Sequence, residues 1–69
     1  METVKIKDEY IKLGQLLKLA GIAGSGLEAK ILINEGKVKV NNETVTQRGK
    51  KIIPGDTVSF KDVTVRVEN

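Results

Sequence analysis

Apolar side chains at Leu13, Leu16, Leu17 and Ala20 recur at i, i+3, i+4 and i+7, the spacing that lines one face of a helix. Gly21 is placed to stop that helix, and Ile22-Ala23-Gly24 reads as a tight connector. A second helix is predicted from about Gly26 to Glu35. Its Ala29, Leu32 and Ile33 would pack on the first helix, with Leu27 and Ile31 covering a flank. Ser25 and Glu28 have the S-x-x-E spacing of a capping box, in which hydroxyl and carboxylate each satisfy an otherwise unpartnered backbone N–H. Gly36 follows the last helical residues and suits the left-handed conformation that ends a helix at low cost.

After Gly36 the period changes to two. Lys37-Val38-Lys39-Val40 sends both lysines to one face of a strand and both valines into the core. Strands are predicted at 37–41 and 43–46, joined at Asn41-Asn42, which tolerates the positive φ of a two-residue hairpin turn. Gln47 to Lys51 is polar and basic, and 52–56 holds a Pro-Gly turn. A second hairpin, 57–60 with 63–67, turns at Lys61-Asp62, so Phe60 opposes Val63 and Val58 opposes Val65. Those side chains and Val67 share the face on which the helices would rest. Residues 2–7 alternate as a short edge strand, and Asp8-Glu9-Tyr10 leads toward the first helix. The expected fold class is α+β: two helices on one side of a small antiparallel sheet of four to five strands.

Sixty-nine residues make one small domain, 1–69, near the lower size limit for a self-sufficient core. There is no cysteine to supply a disulfide or thiolate metal site. With no histidine, the usual general base near neutral pH is missing too. No apolar run is long enough to span a bilayer, and METVKIKDEY is not a secretory signal pattern, so a soluble cytoplasmic protein is the expectation.

Net charge is only +3, but its distribution is sharper. Lys12 to Lys51 holds eight basic and three acidic side chains, whereas each flank is net negative. Positive charge concentrated in the middle of a compact domain favours a polyanionic partner. Enzymatic signatures are lacking. There is no Walker-type loop, and the glycine-rich 21–26 stretch lies between helices rather than after a strand. Tyr10 and Phe60 are the only aromatic residues. A single-strand binder normally stacks bases on several rings, so this scarcity favours recognition of shape and phosphate on folded RNA.

The run Lys12-Leu13, Leu17, Gly21, Ser25, Glu28-Ala29-Lys30, Ile33, Gly36-Lys37-Val38-Lys39-Val40-Asn41 and Pro54-Gly55-Asp56 resembles the S-four RNA-binding domain. This αL motif is named after a small-subunit ribosomal protein. The resemblance covers roughly 11–60, and phrases such as LLKLAG, EGKVKVN and PGD look like the small stand-alone bacterial members of the YaaA/YbcJ type. It implies binding of structured RNA, with any chemistry left to other domains. It also implies site positions: Lys12 where the family has an RNA-contacting Arg, Ser25 opening helix 2, Lys30 on the same groove, and Lys37-Val38 along the RNA backbone. Gly14 stands where Asp is frequent and Gly26 where Arg is frequent, so one cation is lost at the start of helix 2. Backbone N–H groups and the helix dipole remain there.

The expected function is therefore non-catalytic binding of structured RNA, with ribosomal RNA the foremost target and tRNA a further one. The expected protein is a monomer needing no cofactor, metal, membrane or small-molecule substrate. The expected surface comprises Lys12, Ser25, Gly26, Lys30, Gly36, Lys37, Val38 and Lys39, extended by Arg48, Lys50 and Lys51. Two bland readings stand beside it. Ser25 and Glu28 are compatible with capping alone, and Lys18 with a purely solubilising role. The rival function is a protein–protein adaptor whose basic face meets an acidic partner.

Overall fold

The computed structural model describes residues 1–69. Strand β1 (Glu2–Lys5) is followed by β2 (Ile11–Lys12), helix α1 (Leu13–Leu19) and helix α2 (Gly26–Asn34). The chain then forms β3 (Lys39–Val40), β4 (Glu43–Thr44), β5 (Lys51–Ile52), β6 (Thr57–Phe60) and β7 (Val63–Glu68). Five strands make one sheet in the order β1-β7-β6-β3-β4, and β2 pairs with β5 in a second, two-stranded sheet.

Both hairpins have the expected register, with Val58 opposite Val65, Phe60 opposite Val63, and Val40 opposite Glu43. Asn41 and Asn42 both take positive φ, 50° and 71°, which sets the twist of a tight two-residue turn. Lys61 does the same at the second hairpin, with φ 54°. Gly21 and Gly36 terminate their helices at φ 77° and 72°.

The sheet departs from expectation in one strand. β1 lies at the edge and runs parallel to β7, so the sheet is mixed rather than wholly antiparallel. Alternation of polar and apolar side chains is the same in either direction, so the sequence pattern carries no information about it. The pairing runs one residue past β1, where the Ile6 N–H donates to the Glu68 carbonyl at 2.8 Å. The second sheet is also new. Ile11-Lys12, expected to lead directly into a helix, pairs antiparallel with Lys51-Ile52, inside what reads as a polar loop.

Leu13, Leu16 and Leu17 of α1 and Ala29 and Ile33 of α2 are fully buried against Val38, Val58, Val67 and Ile52. Val40 of β3, Ala23 in the connector and Ile6 beyond β1 complete the cluster, and Phe60 packs against its edge. Burying one such large side chain contributes roughly 1.5–3 kcal/mol. Leu27 and Ile31 do not join this core. They are 68% and 47% exposed on the outer side of α2, because Ala29, Leu32 and Ile33 already turn the inner face toward α1. No helix is long and apolar enough to cross a membrane.

Asn41 ties the two hairpins together. Its side-chain amide donates to Asp56 Oδ1 at 3.0 Å, and its Oδ1 accepts from the Thr57 N–H at 3.0 Å. Asp56 Oδ2 in turn accepts from the Ile53 N–H, closing the Pro-Gly turn. The Asn and Asp of two separate turns are thus one polar clamp.

Candidate nucleic-acid interface

Helix α1 has no side-chain cap, since Lys12 at its N-cap position offers no acceptor. Its first two N–H groups are satisfied by backbone instead. Leu13 donates to the Lys50 carbonyl at 2.9 Å and Gly14 to the Arg48 carbonyl at 3.1 Å. The basic loop 47–51 therefore straps across the start of α1, and β5 continues it so that Lys51 faces Lys12 across the small sheet. Two like charges opposite one another are unfavourable unless solvent or a ligand screens them. Lys51 partly relieves this by placing its ammonium over the Tyr10 ring, 4.8 Å from the centroid.

Gly14 is what lets Arg48 lie close. A Cβ there would sit 2.7 Å from Arg48 Cγ and 3.3 Å from Cδ, so any side chain displaces the arginine from the helix. Gly26 serves differently. Nothing lies within 4 Å of the Cβ it lacks, so the space above it is open. Packing does not demand glycine at that point.

Ser25 is extended, with φ −158° and ψ 167°, and its hydroxyl accepts from the Glu28 N–H at 3.1 Å. The Glu28 carboxylate makes no reciprocal bond to Ser25, so only half of the expected capping box forms. The Gly26 and Leu27 N–H groups have no partner within the chain. Two backbone donors at the positive end of the α2 dipole thus remain available to an anion.

Between the starts of the two helices lies a cleft of about 380 Å³, lined by Lys12, Gln15, Lys18 and Arg48 with Gly14, Gly26 and Gly49. It has no carboxylate and no apolar side chain in its wall. An electropositive, donor-rich concavity of that kind suits phosphate oxygens.

Of the residues expected to bind, Lys12, Gly26 and Arg48 meet in this cleft, with Ser25 at its lip. Lys30 lies one turn beyond Gly26 on the same flank of α2. Lys50 and Lys51 belong to the strap but line another recess, with Asn41, Glu43 and Asp56. Gly36, Lys37 and Lys39 lie beyond the far end of α2, and nine helical residues separate the two ends by about 13 Å. There Lys37 pairs with Glu35 at 3.2 Å, while Lys39 projects from the sheet face opposite Val40, flanked by Thr44 and Ser59. Val38 is not available as a contacting side chain. It is fully buried, and its carbonyl already accepts from the Val45 N–H.

Besides two glycines, Gly14 and Gly49, two cleft side chains escape the sequence reading. Lys18 reads as a solubilising charge, yet it lines the cleft, and Gln15 carries no signal by itself. Their i, i+3 spacing on the polar side of α1, following Lys12, is the feature that could have marked them.

The S4 domain family model matches residues 4–68. The chain is 46% identical over 61 residues to the "Putative RNA-binding protein YbcJ" of Escherichia coli K12, covering 88% of this chain and 87% of that protein. It is 43% identical over 58 residues to the "Probable ribosome maturation protein RlbA" of Bacillus subtilis 168, covering 84% and 82%. The solution structure of YbcJ from E. coli, described as revealing an αL motif involved in RNA binding, superposes with a TM-score of 0.77. That match has 43% identity and covers all of this chain and 89% of the other. A tyrosine–tRNA ligase of Nitrosomonas europaea shares 38% identity over 58 residues, but these make up only 14% of the ligase.

Proposed function

The chain belongs to the S4 domain family, and on that premise we propose that it is a non-catalytic RNA-binding protein that grips structured ribosomal RNA, in ribosome assembly or a ribosome-associated role. The observation that carries this reading is the cleft between the helix starts. Three cations and the unpartnered Gly26 N–H line it, with no carboxylate in its wall. Such a site positions a phosphodiester backbone and offers nothing that would cleave or modify it. The name of the Bacillus subtilis relative supports the ribosomal setting. The protein would act in the cytoplasm, as a monomer and without a cofactor.

Recognition would proceed through shape. Lys12, Lys18 and Arg48 neutralise phosphates of one strand as it passes between the helices, Gly26 lets the backbone approach, and Ser25 fixes the helix start that presents the free N–H groups. Lys30 extends the track along α2. With about four to six phosphates engaged, log affinity should fall against log salt with a slope of roughly −3 to −5. Filter binding to purified ribosomal RNA and to tRNA at several salt concentrations tests this. Tighter retention of ribosomal RNA with such a slope is the expected result. Equal retention of both RNAs would overturn the ribosomal assignment, and failure to retain either at low salt would overturn RNA binding.

A further inference from the structure

The cleft does not end at helix α1. Gln15 and Lys18, which form its wall, also line a larger adjoining groove of about 620 Å³ along the exposed side of the helix. Its lining combines apolar surface from Ile6, Ile11, Leu19 and the Tyr10 ring with Lys5, Lys7 and Lys18. Leu19 is 59% exposed and Tyr10 39%, although both are large and apolar enough to be core residues. Exposed apolar surface beside a phosphate-binding cleft matches a nucleotide whose base has left the stack, since its sugar–phosphate stays charged while its base seeks an apolar wall.

We propose that this groove holds one unstacked nucleobase of the RNA bound in the cleft, placed against Tyr10. The proposal rests on the RNA-binding reading above. Charge complementarity argues for it: Lys5, Lys7 and Lys18 surround the groove against the single carboxylate of Asp8. Connection argues for it as well, because Gln15 faces both spaces and a strand following α1 passes from one to the other. Lys51 stands over the Tyr10 ring, and Gln15 and Asp8, which line the same groove, offer an amide and a carboxylate to the polar edge of a base. The ring recognises a base face of any identity, so the groove would select an unpaired nucleotide rather than a sequence.

The test uses two fluorescein-labelled RNA hairpins with the same stem, one fully paired and one carrying a single bulged adenosine. The wild-type protein should bind the bulged hairpin about tenfold more tightly, the order expected for one base–aromatic stack. Tyr10 is the sole tyrosine and there is no tryptophan, so intrinsic emission reports this groove alone and should be quenched by the bulged hairpin only. Tyr10→Ala should erase the preference while leaving affinity for the paired hairpin unchanged, and Tyr10→Phe should keep it. Leu19→Glu, at a more exposed position, should erase it in a second way, so the test survives if Tyr10→Ala folds poorly. Equal affinity of the wild type for both hairpins, or a preference that persists in folded Tyr10→Ala and Leu19→Glu proteins, overturns the groove and leaves the cleft standing. Failure to bind either hairpin at low salt overturns both.

Discussion

The two ends of helix α2 both carry lysines, yet they are not equivalent. At the N-terminal end, Lys12, Lys18 and Arg48 from other segments gather around open backbone N–H groups, with glycines in place of bulk. At the C-terminal end, Lys37 is held by Glu35, and Lys39 stands on a flat sheet face among hydroxyl side chains. The helix dipole adds to the contrast, since it favours an anion at the first end and a cation at the second. Lys37 near the α2 C-terminus therefore has a local structural use that Lys12 and Arg48 lack. Both ends carry cations, but those at the first share a cleft with no carboxylate, whereas Lys37 at the second is paired with Glu35.

The largest effect should come from reversing charge in the cleft. Lys12→Glu with Arg48→Glu would replace the two proposed phosphate contacts by repulsion and should weaken binding to ribosomal RNA by about a hundredfold or more. The salt slope should become shallower by about two. Both side chains are exposed, so the thermal midpoint should hold, which a circular dichroism melt checks. The matching reversal at the other end, Lys37→Glu with Lys39→Glu, should cost only about fivefold. If it costs as much as the cleft pair, the two ends form one RNA-binding surface.

A third substitution separates geometry from charge. Gly14→Ala adds a methyl group 2.7 Å from Arg48 Cγ without altering any charge. Alanine is favoured over glycine by up to about 1 kcal/mol in a helix, less in the first turn where Gly14 stands, and this partly offsets the push on the arginine, so stability should change by no more than about that amount. RNA affinity should nonetheless fall about threefold as Arg48 is moved off the helix. Unchanged affinity would mean that the arginine acts equally well from elsewhere.

Helices α1 and α2, their glycine stops and both hairpins were legible because each is written in a local period of 3.6 or two, bounded by turn residues. The second sheet was not. Two-residue strands such as Ile11-Lys12 and Lys51-Ile52 are too short to show a period, and their pairing depends on a strap that caps α1 through its carbonyls. The same strap explains the site. Lys12 and Gly26 lie in recognisable motifs, but nothing in the spacing of Gly14 and Arg48 announces that one makes room for the other. Val38 shows the reverse case. The Lys-Val-Lys-Val alternation already assigned its side chain to the core, and there it is, whereas the resemblance had drawn it toward RNA. The Asn41–Asp56 clamp was invisible for a simpler reason: each residue was fully accounted for by its own turn.

The smallest expected effect bears most directly on why the two ends differ. Glu35→Gln removes the carboxylate 3.2 Å from Lys37 while keeping size and hydrogen-bonding capacity. Both side chains are about half exposed, so the lost pair is worth about 0–1 kcal/mol and the fold should tolerate its removal. If RNA extends from the cleft to the far end of α2, freeing Lys37 should tighten binding by up to about twofold and steepen the salt slope by a fraction of a unit, read by the same filter assay. If RNA stops short of that end, affinity and slope stay where they were, and Glu35 is simply the partner that keeps a helix-terminal lysine in place. A gain much larger than twofold would reverse the ranking, because it would mean that Lys37 is a principal contact held in check by its neighbour.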